Sequence, residues 1–184
     1  MDVVTLETRR LVLRGVVESD VDAVAWLLGE PRVMRHIEDG KPVSRADVER
    51  VVLPKVTGGG WWAARLKGAG ASRASVSGEA GAGAFIGWFE LSGVGGGVAE
   101  LGYRLHPDFW GRGYATEGAS ALVEHGRATG LTRIVAYAMA VNTGSRRVLE
   151  KVGLQYVRTF HEEWPDYIEG AEHGDVEYAL DLGR

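Results

Sequence analysis

Apolar residues along the chain fall into short strand-like runs separated by stretches of helical periodicity. Residues 10–14 (RLVLR) alternate closely enough to predict a first strand. Val21, Val24, Ala25 and Leu28 then recur at i, i+3, i+4 and i+7 behind Ser19, a good N-cap, and Glu30-Pro31 predicts the end of this helix. A second helix is expected from Ser44, with Val48, Val51 and Val52 on one face and Pro54 as its stop. Residues 61–66 and 84–91 read as strands rich in aromatic residues. The intervening segment 68–84 is Gly, Ala and Ser apart from Arg73, Val76 and Glu79. It has too little apolar side chain to offset its ordering entropy, which predicts a long mobile hairpin loop.

The second half is more regular. A glycine turn at 92–97 leads into a strand at 98–106 that stops at Pro107. Ala115, Ala119, Leu122, Val123 and Gly126 mark the inner face of a helix, with Gly130 suited to its C-terminal cap. Residues 133–141 (RIVAYAMAV) are almost continuously apolar, as expected of a central strand covered on both faces. A helix from Asn142 to Gly153 and strands at 155–160 and 176–180 complete the chain. Helices interleaved with strands, some in hairpin sequence, predict an α/β domain whose central sheet is mixed, mostly antiparallel and flanked by helices.

Composition narrows the chemistry. A chain of 184 residues with 45% hydrophobic and 25% charged residues is expected to form one domain with a real core. It contains no cysteine, so disulfides, thiolate metal sites and a covalent acyl-cysteine intermediate are excluded. The five histidines never fall in a metal-binding spacing, and no G-x-S-x-G elbow is present, so neither a metal nor a serine-hydrolase triad is expected. A net charge of −4 without a basic run argues against a nucleic-acid surface. With no apolar run approaching 18 residues and no signal-peptide layout at Met1, no membrane partner is expected and a cytoplasmic location is the default.

The stretch 100–116, within and after the strand at 98–106, organises the rest. A strand, a loop carrying Gly111 and Gly113, and a helix N-terminus follow in that order, which suits an anion. The first helical turn has unpaired N–H groups and a positive dipole end, and glycine permits close backbone approach. Arg112 adds a positive charge between the glycines. A Walker loop is excluded because Tyr114 and Ala115 follow Gly113 instead of Lys-Ser/Thr, and a dinucleotide fingerprint is excluded because Thr116 stands where a third Gly or Ala is needed.

Trp110-Gly111-Arg112-Gly113-Tyr114-Ala115 resembles the Q/R-x-x-G-x-G/A pyrophosphate loop of the GNAT acyl-CoA N-acetyltransferases, with Trp110 where many members have Arg or Gln. Together with Asn142-Thr-Gly-Ser145 and Glu150-Lys151-Val152-Gly153, it is similar to the branch containing the RimJ and RimL ribosomal-protein acetyltransferases. The resemblance implies the GNAT fold, acetyl-CoA as co-substrate and a primary-amine acceptor, either a protein N-terminus or a small molecule. It places the pyrophosphate on the N–H groups of residues 112–116, backbone bonds to the pantetheine arm at Leu105 and His106, and a further bond at Asn142, whose other expected role is N-cap.

Strand alternation sets Glu100, Gly102 and Arg104 on one face, with room beside the glycine for a ligand or bridging water, and Ala99, Leu101, Tyr103 and Leu105 on the other. Glu100 is therefore a candidate general base, at a position like that of the base in several GNAT enzymes, or else a solvent-facing carboxylate paired with Arg104. Ser145 shares the inward face of its helix with Val148, Leu149 and Val152. Many GNAT enzymes carry a thiolate-protonating tyrosine at the position of Leu149, which makes Ser145 the substitute candidate. Its other reading is a bond to the carbonyl one turn back. Tyr103 is a weaker donor candidate, expected to serve the core. Arg35, His36 and Ile37 are expected near the acceptor pocket, and Glu162, Glu163, Trp164 and Asp166 form either a solvated acidic loop or a rim that attracts a cationic amine. An exposed final strand would make a homodimer plausible. The alternative function is a non-catalytic acyl-CoA-binding protein on the same fold.

Overall fold

The computed structural model describes residues 4–68, 83–161 and 168–183. Most of the glycine-rich segment expected as a hairpin loop, and Glu162, Glu163, Trp164 and Asp166 of the acidic segment, lie outside these. One eight-stranded sheet forms the centre, in the order β1-β2-β3-β4-β5-β6-β8-β7. Its strands are β1 (Leu6–Glu7), β2 (Leu11–Gly15), β3 (Trp61–Leu66), β4 (Phe85–Gly95), β5 (Val98–Leu105), β6 (Arg133–Met139), β7 (Gln155–Phe160) and β8 (Asp175–Asp181). All neighbours are antiparallel except β5 and β6. The mixed, mostly antiparallel α/β architecture is as expected.

Two apolar layers cover the sheet. On one face, helix α1 (Val21–Leu28), the turn α2 (Pro31–Met34) and the pieces α3 (Arg45–Asp47) and α4 (Leu53–Val56) bury Val24, Leu27, Leu28, Met34 and Val48 against Ala63, Phe85 and Trp88. On the other, α5 (Tyr114–Ala128) and α6 (Thr143–Lys151) cover Phe89, Leu91, Leu101 and Ile134. The α5 helix comes closest at Gly118, where a β-carbon would lie 2.2 Å from the Phe89 ring.

Several boundaries differ from the sequence reading for local reasons. Helix α1 begins after Asp20, not Ser19, because the Asp20 carboxylate is drawn inward to accept from both Arg14 and Arg65 and from the Val17 N–H. Glu30-Pro31 does not simply end the helix: the Glu30 side chain accepts from Arg32 N–H, and Pro31 occupies the first position of α2, where its missing N–H costs nothing. Ser44 caps α3 as expected, but Pro54 does not stop the helix, since a π-helical turn at Val48–Val52 intervenes and Pro54 starts the next piece. The wider turn rotates Val51 outward to 39% exposure. The segment expected as a glycine turn at 92–97 instead extends β4 to Gly95, with a bulge between Gly93 and Gly95. The last strand, β8, lies between β6 and β7, so β7 is the edge and the structural ground for expecting a dimer through an exposed final strand is absent.

Candidate active site

Strands β5 and β6 pair only over Val98, Ala99 and Glu100 against Arg133, Ile134 and Val135. Beyond that point β5 continues along β4 to Leu105, while β6 continues along β8 to Met139. A cavity of about 530 Å³ opens where the two part company. Its walls include Glu100, Gly102 and Arg104 from one face of β5 and Leu101 and Tyr103 from the other. The cavity therefore passes through the sheet. This size is within the range of small-molecule sites.

On the face covered by α1 to α4, the cavity wall carries two carboxylates. Glu100 stands opposite Ser92 across the ladder, and Glu90 opposite Gly102. A β-carbon at residue 102 would lie 3.0 Å from Glu90 Oε2. The space expected beside Gly102 thus accommodates a second carboxyl group, which sequence reasoning missed. Register was the lost signal: Glu90 ends an apolar run, and its partner strand has to be known before the pair becomes visible. Burial pushes the Glu100 carboxyl above the usual range. Burial also raises Glu90 and the charge of Glu100 adds to it, while a hydrogen bond from Ser92 and the charge of Arg104 oppose the rise.

On the opposite face, α6 presents Asn142, Ser145 and Leu149 to the cavity. Asn142 is the N-cap, its Oδ1 accepting the Ser145 N–H at 3.1 Å. The Tyr103 hydroxyl reaches across from β5 to the Ser145 carbonyl at 2.9 Å and lies 3.0 Å from Ser145 Oγ. Burial pushes the Tyr103 phenol up to about 12, the Ser145 contact opposing the shift, so it stays protonated at any working pH. The serine's partner is thus a tyrosine from the neighbouring strand, and not the carbonyl one turn back.

The glycine loop follows β5 as expected. Gly111 and Gly113 have φ of +70° and +80°, which only glycine adopts readily, and Gly113 is the N-cap of α5. Among the described residues, none of the backbone N–H groups of 111–116 has a hydrogen-bond acceptor. Glu117 in the first turn is engaged elsewhere: it accepts from Thr8 Oγ1, Arg10 N–H and Arg10 Nε, which outweigh burial and hold its carboxyl below the usual range. Those bonds fix the Arg10 guanidinium over the Tyr114 ring, 4.3 Å from its centroid, and 3.4 Å from where a β-carbon on Gly113 would stand. Arg10 is a second cation at this loop, alongside Arg112. Sequence reasoning placed it on the first strand, 100 residues away, without connecting the two.

His106 does not reach the open edge of β5. Its N–H donates to Ile86 O, its carbonyl accepts from Phe109 N–H, and its buried ring stacks on Trp26 at 3.7 Å. Alternation turns the backbone groups of Leu101, Tyr103 and Leu105 toward the gap instead. The Leu105 carbonyl accepts from Trp110 Nε1 at 2.6 Å, so Trp110 braces the loop against the strand end. Of the residues expected around the acceptor, His36 and Ile37 line the cavity, while Arg35 turns outward to Glu169.

Residues 10–155 match the acetyltransferase (GNAT) domain family. The chain belongs to the GNAT acetyltransferase family. It is an enzyme of that family, acting as an acetyl-CoA-dependent acyltransferase. The FsC-acetyl coenzyme A-N(2)-transacetylase of Aspergillus fumigatus is 28% identical over 96% of this chain and 75% of its own length. Among solved structures, a GNAT acetyltransferase from Bacillus anthracis superposes with a TM-score of 0.78 at 23% identity, covering 97% of this chain and 99% of the other. The ribosomal L7/L12 α-N-protein acetyltransferase RimL in complex with coenzyme A gives 0.72 at 17% identity, with 97% and 98% covered. At these identities the two structures speak for the fold. Among the described residues no cluster suited to a metal is found, and no helix of this GNAT acetyltransferase is long and apolar enough to cross a membrane.

Proposed function

We propose that this enzyme transfers the acetyl group of acetyl-CoA directly to a primary amine within a ternary complex, with the active site at the parting of β5 and β6. The observation that carries the reading is the cavity through the sheet, which has a carboxylate pair on one face and a hydroxyl pair on the other. The free N–H groups of 111–116, with Arg10 and Arg112, suit a pyrophosphate. The gap-facing N–H of Leu105, whose carbonyl holds Trp110, and the Asn142 Nδ2, whose Oδ1 caps the helix, suit the carbonyls of a pantetheine arm, whereas His106 is withdrawn from that role. Bound acetyl-CoA supplies an activated acetyl thioester.

The protein groups then divide the proton work. Glu100, its basicity raised by burial, accepts the proton that the amine loses as its nitrogen bonds to the carbonyl carbon, directly or through water. Ser145 passes a proton to the sulfur as the C–S bond breaks and regains one from solvent, while Glu100 releases to solvent the proton it took from the amine, so that the cycle closes. Turning the Tyr103 hydroxyl from the Ser145 carbonyl to Ser145 Oγ, 3.0 Å away, would leave the serine proton free to point at the sulfur, and so support the missing tyrosine function at Leu149 from a different element. In this reading the RimJ/RimL resemblance describes the layout of the donor side.

The test is release of CoA thiol from acetyl-CoA against a panel of peptides with free N-termini, lysine peptides with blocked N-termini, amino acids, polyamines and aminoglycosides. Turnover of one class, reduced by Glu100→Gln and Ser145→Ala without loss of acetyl-CoA binding, is expected. Leu149 at the tyrosine position was the ground for the alternative of a non-catalytic acyl-CoA-binding protein, and membership of an enzyme family overrides it. Tight acetyl-CoA binding with no turnover across the panel would point to an acceptor outside it.

A further inference from the structure

The acceptor side of the cavity is electrically two-ended. At one end stands Glu100, and Glu90, opposite Gly102, stands between it and the other end, where the Arg104 charge reaches it. At the other, four residues along β5 from Glu100 and on the same face, stands Arg104, its side chain only 19% exposed. Its guanidinium lies over the Trp88 ring, 5.5 Å from the centroid, with Nη1 4.0 Å from Met34 Sδ. A guanidinium has five N–H donors. Among the described residues, the carboxylate hydrogen-bonded to them is that of Glu38, through a single contact of 3.3 Å.

That contact is poorly built. Glu38 is 67% exposed, and its φ of +52° lies in the left-handed region that a glutamate occupies only at some cost. Beside it, His36 Nδ1 is buried in the cavity wall with no hydrogen-bond partner among the described residues. Burial, and then the charge of Arg35, push the imidazole below its ordinary value, so it is neutral near pH 7 and free to donate or accept. A buried cation without a bidentate partner, in the wall of the same cavity as a buried unpaired imidazole nitrogen, is suited to an oxyanion on a ligand. The same cation is unsuited to a polyamine, which would bring further positive charge against it.

We propose that the acceptor is a small amino-acid-type molecule, whose primary amine is directed to Glu100 and Glu90 and whose carboxylate is bound by Arg104, with His36 in the wall of the same cavity and Glu38 as an internal competitor for the guanidinium. Four residues of strand span roughly 13 Å between α-carbons. The cavity that these residues line, about 530 Å³, has room for a molecule of this size beside the Glu90 carboxyl. The proposal rests on the acetyltransferase reading of the site and narrows it to one class of acceptor.

The experiment measures kcat/KM of the full chain for matched pairs: leucine and leucinamide, 4-aminobutyrate and 4-aminobutyramide, with spermidine as the polycation. The same pairs are titrated calorimetrically into the CoA-saturated protein. Taking the acid-to-amide ratio in wild type relative to each variant cancels the intrinsic reactivity of the amines. Arg104→Met is expected to lower that ratio about tenfold or more, mainly through KM, as loss of a charged bidentate partner should. Glu38→Gln, an exposed substitution, is expected to move KM for the acids the other way, down by about threefold. Acetyl-CoA binding by each variant verifies the fold. An unchanged ratio in both variants, or spermidine preferred over every acid, overturns the proposal. If no amine turns over, the transferase reading falls, while tighter calorimetric binding of acids than amides, lost in Arg104→Met, still upholds the carboxylate site.

Discussion

Replacing Tyr103 by Phe, alone and together with Ser145→Ala, isolates the hydroxyl pair on the donor side of the cavity. The Tyr103 hydroxyl is 2.9 Å from the Ser145 carbonyl and 3.0 Å from Ser145 Oγ, and phenylalanine keeps the ring in place against Phe89 while removing both contacts. The stability cost should be about 1 kcal/mol, the net value of a partly buried hydrogen bond. The kinetic cost follows from the proposed division of labour. Ser145→Ala removes the proton donor and should lower kcat about 100-fold, or about 2.7 kcal/mol of transition-state stabilisation. Tyr103→Phe leaves the donor but frees its orientation, for which about tenfold, near 1.4 kcal/mol, is the expected loss. Since Tyr103 acts only through Ser145, the double variant should be no slower than Ser145→Ala, giving a coupling of about 1.4 kcal/mol. The assay is kcat for CoA release with saturating acetyl-CoA and whichever amine the panel identifies, with KM for acetyl-CoA followed in parallel. Additive losses would refute the relay. A Tyr103→Phe enzyme slower than Ser145→Ala would instead make the tyrosine the direct donor.

Glu100→Gln should lower kcat/KM about 100-fold at pH 7. The defect should shrink as pH approaches the amine pKa, because the base is then no longer needed; an equal defect at pH 7 and pH 10 would remove Glu100 from the role of base. In the wild type the acid limb of kcat/KM should lie above the ordinary glutamate range, since burial raises the carboxyl and activity is lost as pH falls through that raised value. Gly118→Ala drives a β-carbon to 2.2 Å from the fully buried Phe89 ring, and should destabilise by about 2–3 kcal/mol, seen as a fall of roughly 5–10 °C in Tm. Asp20→Asn should cost about 2–3 kcal/mol, below the range for a fully buried pair because the Arg14 side chain is 33% exposed. Burial opposes the Asp20 charge but the Arg14 and Val17 bonds outweigh it, so its folded pKa is depressed. Its contribution is therefore present above the unfolded value of about 3.9 and lost as pH falls through the folded one; urea midpoints of wild type and variant should converge at low pH.

Much of the part of the candidate site proposed for acetyl-CoA was legible in the chain because it is local. The glycine loop, the α5 N-terminus, and Asn142 with Ser145 on the first turn of α6 all depend on neighbours within a few residues, which spacing and capping rules can reach. Tyr103 was named but assigned to the core. Only the packing of α6 on β5 reveals that its hydroxyl meets Ser145. Glu90 and Arg10 escaped for the same reason at longer range: each becomes part of the site through a partner on another strand or helix, Gly102 and Glu117, that no periodicity announces. The helical errors have a different cause. Asp20 outcompetes Ser19 because two arginines draw it inward, and the π-turn lets a helix run through Pro54, so tertiary demands overrode sound local rules.

The arrangement of the cavity bears on the order of chemical events. Alternation along β5 sends Glu100 and Arg104 to the face under α1 and α2, and Tyr103 to the face under α6. Glu100 with Arg104 and the hydroxyl pair are therefore separated by the thickness of the sheet. They meet only at the gap left when β6 turns its pairing to β8. Two ligands entering from opposite faces do not block one another, so neither has to leave before the other binds. A chain without cysteine also lacks the most nucleophilic residue for holding the acetyl group in the meantime. Both facts favour direct transfer, and with it intersecting initial-velocity lines when acetyl-CoA and amine are varied together. Parallel lines would require a covalent acetyl-enzyme, for which the hydroxyl of Ser145 would then be the residue to examine.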